Sequence, residues 1–223
     1  MSAAKVSLNS ITVTHRDLKD LLTPVLPHVD GSGRVPVLGC VSLQTRGGYL
    51  TATATDRYTI AVTRLAVEPG TEFTALVQAV ELKALLAMFK PSRYTIGQSL
   101  TLTIEDDDLR VEGAGALFSS AVIKYSVYKG EYPKCDALFT AKATKDTGES
   151  FNLNGNLLAK FRCAAHAGEP LEFTNAGGKT FVKSGDHFTG IIMQARKQAD
   201  DKQPETGWES IFTSPKSSPE VAA

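Results

Sequence analysis

The chain has 223 residues, 42% hydrophobic and 22% charged, enough for one large or two small domains with a core. Its 24 basic and 24 acidic residues balance to zero, which excludes a generally basic nucleic-acid coat but allows a local basic face. No apolar run reaches the roughly 20 residues of a membrane span, and the opening residues lack the apolar centre of a signal peptide. Cys40, Cys135 and Cys163 are too few and too scattered for a disulfide framework, so a cytoplasmic protein is expected.

In chain order, Ile11-Thr12-Val13-Thr14 alternates like a short strand. Residues 15 to 28 read as a helix with Leu18, Leu21, Leu22 and Val25 as its apolar stripe. Thr14 followed by Asp17 is a capping signal, while Pro24 and Pro27 predict a kink or an early stop. Strands are expected over residues 37–43, 49–54 and 59–65, separated by the turn signals Gly47-Gly48 and Thr55-Asp56.

The same unit then starts again. Ala75-Leu76-Val77 precedes Gln78, and Glu81-Leu82-Lys83-Ala84-Leu85-Leu86 echoes Asp17-Leu18-Lys19-Asp20-Leu21-Leu22. Strands follow at about 94–96, 100–105, 109–112 and 118–124, with Asp106-Asp107-Asp108 as a solvated hairpin tip. A third, fainter copy opens with Phe151-Asn152-Leu153 and the N-cap Asn154. Its helix runs to Ala165, with Leu158 and Phe161 in the places of Leu18 and Leu21. Strands near 171–174, 179–183 and 188–193 complete it, with Gly177-Gly178 as the turn.

Repeated strand–helix–three-strand units define an α+β fold with helices on one face of antiparallel sheets. The helices bury Leu18, Leu22, Leu82, Leu85 and Leu86. Their opposite faces carry Arg16, Lys19 and Thr23, then Lys83, Ala87 and Lys90, with Lys160 as the third helix's candidate. Taken alone these are ordinary solvated side chains; the matched positions of Lys19 and Lys83 point to a shared basic face. The expected domains are 1–133 (units about 5–67 and 70–127), a shortened second domain at 134–197, and a polar flexible tail at 198–223. A fourth unit, if the chain has one, would lie within residues 134–149. The tail holds one apolar cluster, Trp208-Glu209-Ser210-Ile211-Phe212, which packs locally or imitates a partner peptide.

Catalytic signals are thin. Cys163 and His166 form half a zinc site without a second pair. His187 has no nucleophile near it in sequence, and no phosphate-binding glycine loop is present. His15 and His28 flank the first helix and are expected at the surface. The expectation is a non-enzyme without metal or cofactor.

Leu50-Thr51-Ala52-Thr53-Ala54-Thr55-Asp56-Arg57-Tyr58-Thr59-Ile60-Ala61-Val62 resembles the Thr-Asp motif of the bacterial DNA polymerase III beta subunit, the DNA sliding clamp. Gly130-Glu131-Tyr132-Pro133 resembles the segment that ends one clamp domain. Asp186-His187-Phe188-Thr189-Gly190-Ile191-Ile192-Met193-Gln194-Ala195-Arg196 is similar to the family's C-terminal strand, with Gln194 where the family has proline. The resemblance spans roughly residues 5–197.

The resemblance implies a DNA-clamp fold, with helices lining a ring and sheets outside. It also implies a processivity factor that encircles duplex DNA without reading sequence. Its channel would carry Arg16, Lys19, Arg34, Lys83, Lys90, Arg93 and Lys160. A pocket for short peptides of the DNA polymerase and clamp loader would comprise Leu38, Thr55, Arg57, Tyr58, Ile60, Pro133, Ile192, Met193 and Arg196. Taken singly, Leu38, Ile60 and Ile192 are more simply core, whereas Tyr58, directly after a turn, is poorly placed for it. Bacterial clamps have three full domains, and this chain has three half-units. Its length is similar to the two-domain clamps of eukaryotes and some phages, so a homo-oligomeric ring is expected, a trimer ahead of a tetramer. The alternative is a clamp-like protein that does not encircle DNA and binds a polymerase, a loader or a host clamp.

Overall fold

The computed structural model describes residues 10–68, 71–115, 118–140, 151–165 and 169–195. Arg196, His166, the tail cluster at 208–212 and most of the stretch considered for a fourth unit lie outside them.

Strand β1 (Ser10–Thr14) leads into helix α1 (His15–Leu22) through a complete capping box. The Thr14 hydroxyl accepts from the Asp17 amide at 3.1 Å, and the Asp17 carboxylate accepts from the Thr14 amide at 3.2 Å. The helix ends at Leu22, well short of His28, because Pro24 and Pro27 cannot donate to a continuing ladder. A 3-10 turn, Leu26–His28, takes its place. Another such turn at Pro36–Gly39 delays β2 (Cys40–Arg46). Then come β3 (Tyr49–Thr55), β4 (Thr59–Ala66), β5 (Thr74–Gln78), α2 (Ala79–Met88), β6 (Ser99–Glu105), β7 (Asp108–Gly115) and β8 (Phe118–Ser126).

The strand expected at 94–96 is a turn. The Thr95 amide donates to the Ser92 carbonyl at 3.1 Å and the Ser92 amide to the Thr95 hydroxyl at 2.9 Å, so local bonds replace a sheet ladder. In the third unit, α3 (Asp136–Thr140) precedes α4 (Gly155–Leu158), which Asn154 caps. The chain tightens there into a 3-10 turn, Ala159–Cys163, before β9 (Glu172–Ala176), β10 (Lys179–Ser184) and β11 (Phe188–Met193).

Among the described residues two antiparallel sheets result, a four-stranded one ordered β1-β6-β7-β8 and a seven-stranded one ordered β5-β2-β3-β4-β11-β10-β9. Each of the first two units lends its opening strand to the other's sheet: β1 pairs with β6, and β5 with β2. The third unit joins edge to edge through β4 and β11, with Ile60 opposite Ile191 and Thr59 opposite Ile192.

The helices cover one face of the sheets, and the main core runs through all three units. It holds Leu18, Leu22, Leu82 and Leu85 together with Phe161, Val182, Phe188 and Ile192, while Leu86 is only partly buried. Each fully buried leucine contributes about 2 kcal/mol of transfer free energy. At the seam the sheet comes so close to Phe161 that only glycine fits. A Cβ at Gly190 would meet a Phe161 ring carbon at 2.6 Å and the Ile60 carbonyl at 2.8 Å.

Candidate functional site

Two regions gather the candidate residues. On the helix face, Arg16, Lys19, Asp20, Thr23 and Pro24 of the first unit line a cleft of about 480 Å³ with Pro91 of the second and Cys163 and Ala165 of the third. The cleft therefore touches all three units. Arg16 pairs with Asp20 at 3.5 Å, one turn along α1, and leaves Lys19 exposed beside it. Lys83 on α2 is exposed at the same distance from its N-cap, Gln78, as Lys19 is from Thr14. Lys90 and Arg93 flank the cleft residue Pro91 and are exposed; the Arg93 guanidinium stacks on Tyr94 at 4.7 Å. Arg34 is exposed on its own loop.

The second region is the seam between β4 and β11. The turn before β4 is built on Asp56. One carboxylate oxygen accepts from the Tyr58 amide (3.0 Å), the Thr59 amide (2.6 Å) and the Thr59 hydroxyl (2.9 Å). Arg57 is held at φ 77°, a left-handed conformation that these bonds stabilise. Its guanidinium lies 3.9 Å from the carboxylate of Asp30, a partner the sequence did not suggest. Tyr58, thrown outward by the turn, is 58% exposed, and its carbonyl accepts from the amide of Met193, which is 40% exposed. On the outer face, Cys135 packs on Ile60 and Ile191, bringing its neighbour Pro133, itself exposed, towards the same end of the seam.

The other carboxylate oxygen of Asp56 receives the ammonium of Lys160, tying the third unit to the first. Burial raises the Asp56 carboxyl pKa, but the Lys160 and Thr59 hydrogen bonds outweigh it and hold the group below the usual carboxylate range. Beneath them His28 is buried. Its Nδ1 lies 2.9 Å from the Thr59 hydroxyl, and its ring meets Phe161 edge-on at 4.5 Å. Burial first, then the Lys160 charge, push its pKa down to about 4, against the opposing pull of Asp56 and the Lys160 carbonyl.

Comparison with solved structures places this architecture. The sliding clamp of Bacillus subtilis superposes with a TM-score of 0.69 at 10% identity, over 89% of this chain and 67% of that one. The polymerase III subunit beta of Borrelia burgdorferi, solved with a natural product, gives a TM-score of 0.70 at 11% identity, over 89% and 65%. The beta subunit of Thermotoga maritima gives 0.65 at 12% identity, over 92% and 67%. The chain has the sliding-clamp fold. It spans about two thirds of the length of these clamps. No family model matches the sequence, and no curated protein matches it.

Within the clamp fold several expected residues are placed differently. Lys160 does not join the basic face. It lies one residue later from its N-cap than Lys19 and Lys83 do from theirs, and the 3-10 turn there aims it at Asp56. The expected pocket also divides. Ile192, opposite Thr59, faces the main core, while Ile60, opposite Ile191, faces the outer cluster. The two cannot line one cavity. Leu38 and Thr55 are buried. What the seam exposes is Arg57, Tyr58, Pro133 and Met193.

The three described histidines make defined contacts within the fold. His15 is buried rather than exposed, with Nε2 2.7 Å from the Ala114 carbonyl, and His28 is buried under the seam. His187 bridges Glu169 and the Ala164 carbonyl, each at 3.3 Å. Among the described residues no group of three or more His, Cys, Asp or Glu could hold a metal, and no helix is long and apolar enough to cross a membrane.

Proposed function

We propose that this chain is a DNA polymerase processivity factor of the sliding-clamp kind. Its helix face lies along duplex DNA inside a ring, and the Tyr58–Met193 seam holds a polymerase or loader peptide. The observation that carries this reading is the cleft shared by three units, because it sets Arg16 and Lys19 on the face that Lys90 and Arg93 flank. Exposed cations on a helix face attract phosphates without fixing a register, which is what sliding requires. Exchange of Lys19→Glu together with Lys83→Glu tests it. Association with duplex DNA at low salt should fall about tenfold or more, and the slope of log affinity against log salt by about two. Unchanged binding removes the channel assignment.

At the seam, an exposed tyrosine and methionine offer adaptable apolar area for a short peptide. Tyr58→Ala should weaken binding of a polymerase-derived peptide by about tenfold. Intact binding would move the partner site elsewhere on the molecule.

A further inference from the structure

The third unit leaves exposed the side chains that the first two bury against each other, while the Asn152 carbonyl of its opening segment accepts from the Ala195 amide at 2.8 Å. Three positions can be followed through every copy by counting from the N-caps Thr14, Gln78 and Asn154 and from the last strand residue before each first hairpin turn, Arg46, Glu105 and Ala176. Three residues before the cap stand Ile11, Ala75 and Phe151; four after it stand Leu18, Leu82 and Leu158. Three before the hairpin residue stand Leu43, Leu102 and Phe173. In the first two copies all six side chains are at most 4% exposed, whereas Phe151, Leu158 and Phe173 are 40%, 37% and 45% exposed.

The closed copies show what covers these positions. Ile11 lies directly opposite Leu102, and Ala75 directly opposite Leu43, so both junctions obey the same pairing. α1 and α2 pack on each other, which hides Leu18 and Leu82. In the third unit the helix-facing side of β9 is the side of Phe173, because Phe173 sits opposite the core residue Val182. The outer edge of β9 pairs with no strand among the described residues. The rule that holds at both junctions would set Phe151 of one unit opposite Phe173 of another unit of the same kind. Each chain has one such unit among its described residues.

We propose that two copies of this chain join through their third units about a two-fold axis. Asn152 bridges Ala195 of its own chain, so each segment offers its opposite backbone edge, that of Phe151 and Leu153, to β9 of the other, and Phe151 of each faces Phe173 of the other. A self-complementary contact of this kind covers both sets of exposed residues at once and closes both strand edges. It repeats between chains the exchange that units one and two make within a chain. Two chains so joined carry three complete domains, the number the family resemblance gives to one bacterial clamp chain, and present β8 at both ends. A ring built from such pairs holds an even number of chains rather than three. The proposal stands on the fold and needs no DNA.

Cysteine cross-linking tests the register. Residues directly opposite across antiparallel strands have Cα atoms about 4.5–5.5 Å apart, within disulfide reach. Phe151→Cys and Phe173→Cys proteins, mixed and oxidised, should give a covalent dimer on a non-reducing gel. Neither variant alone, nor the parent chain with its own three cysteines, should do so. Light scattering behind a sizing column should give the parent chain a mass that is an even multiple of 23.9 kDa. Phe173→Glu, a change at an exposed position, should halve that mass with the thermal transition retained. No cross-link in the mixture overturns the proposal, as does a trimer. A monomer at every concentration overturns it too, and with β9 amides protected from hydrogen exchange would mean that the same chain covers the edge. Neither measurement reads DNA binding, so the clamp reading can fail or stand separately.

Discussion

Leu43 and Phe173 hold the same place in two copies of one unit, each three residues before the end of a strand that turns through two glycines. Leu43 is flanked by β3 and β5 and lies in the core; Phe173 has β10 on one side and, among the described residues, no strand on the other. The residue type suits burial at both places, so the difference comes from what the neighbouring unit provides and not from local sequence. A half-unit carries its own pattern but not its own cover.

The largest effect should separate these two positions directly. Leu43→Ala opens a cavity where strands on both sides prevent collapse, and should cost about 3 kcal/mol in urea unfolding. Phe173→Ala should cost under about 1 kcal/mol in dilute protein, because the side chain is half-exposed there. The cost should grow with protein concentration if a second copy covers it. Equal, concentration-independent costs would erase the distinction between the closed and the open unit.

The seam between the two regions should show in the pH dependence of stability. His28 has its pKa lowered from 6.5 to about 4, so the unfolded chain binds a proton over that range and the folded chain does not. Stability is therefore unaffected by His28 above pH 6.5 and falls as pH drops towards 4, by about 3 kcal/mol from this residue alone. Unfolding free energies at pH 7, 5.5 and 4.5 measure the slope. His28→Gln should flatten it, and an unchanged slope would assign the acid sensitivity to other groups. A smaller loss, about 2 kcal/mol, is expected for Gly190→Ala, whose new methyl group would push Phe161 off the seam.

Much of the architecture was legible in the sequence because it is written locally. The Gly47-Gly48 and Gly177-Gly178 turns all have positive φ, and the helix stripes and the Thr14 cap give the three units away. The exchange of opening strands was not legible, since nothing in residues 10–14 names β6 as their partner. The candidate site was legible only in part. Tyr58 and Met193, two of the nine residues expected in the pocket, are joined by a backbone bond, and Lys19 and Lys83 stand equally far from their caps. Assigning Ile60 and Ile192 to one pocket failed because the register of β4 on β11, a non-local fact, sends them to opposite faces. His15 and His28 were misread because a histidine at a helix end is equally at home in water or against a ring and a carbonyl. Only the packing of Phe89 and Phe161 decides between these.

Lys160 gives the finest probe of how the open unit is held to the closed one. Its ammonium meets Asp56 in a partly buried pair, and the same carboxylate organises the turn that presents Tyr58. Lys160→Met keeps the stem's apolar contacts and removes only the charge, so the Asp56 turn retains its three bonds from Tyr58 and Thr59. The expected loss is about 2 kcal/mol, because the Asp56 carboxylate stays buried with the three donors of its turn but without its counter-charge. Removing the nearby positive charge also relieves His28, whose pKa should rise from about 4 towards its usual value. The acid transition of the variant would then begin at lower pH than that of the parent, a shift that histidine ring NMR can follow directly. If the His28 titration stays where it was, the Lys160 charge is not what the histidine feels, and burial is what lowers its pKa.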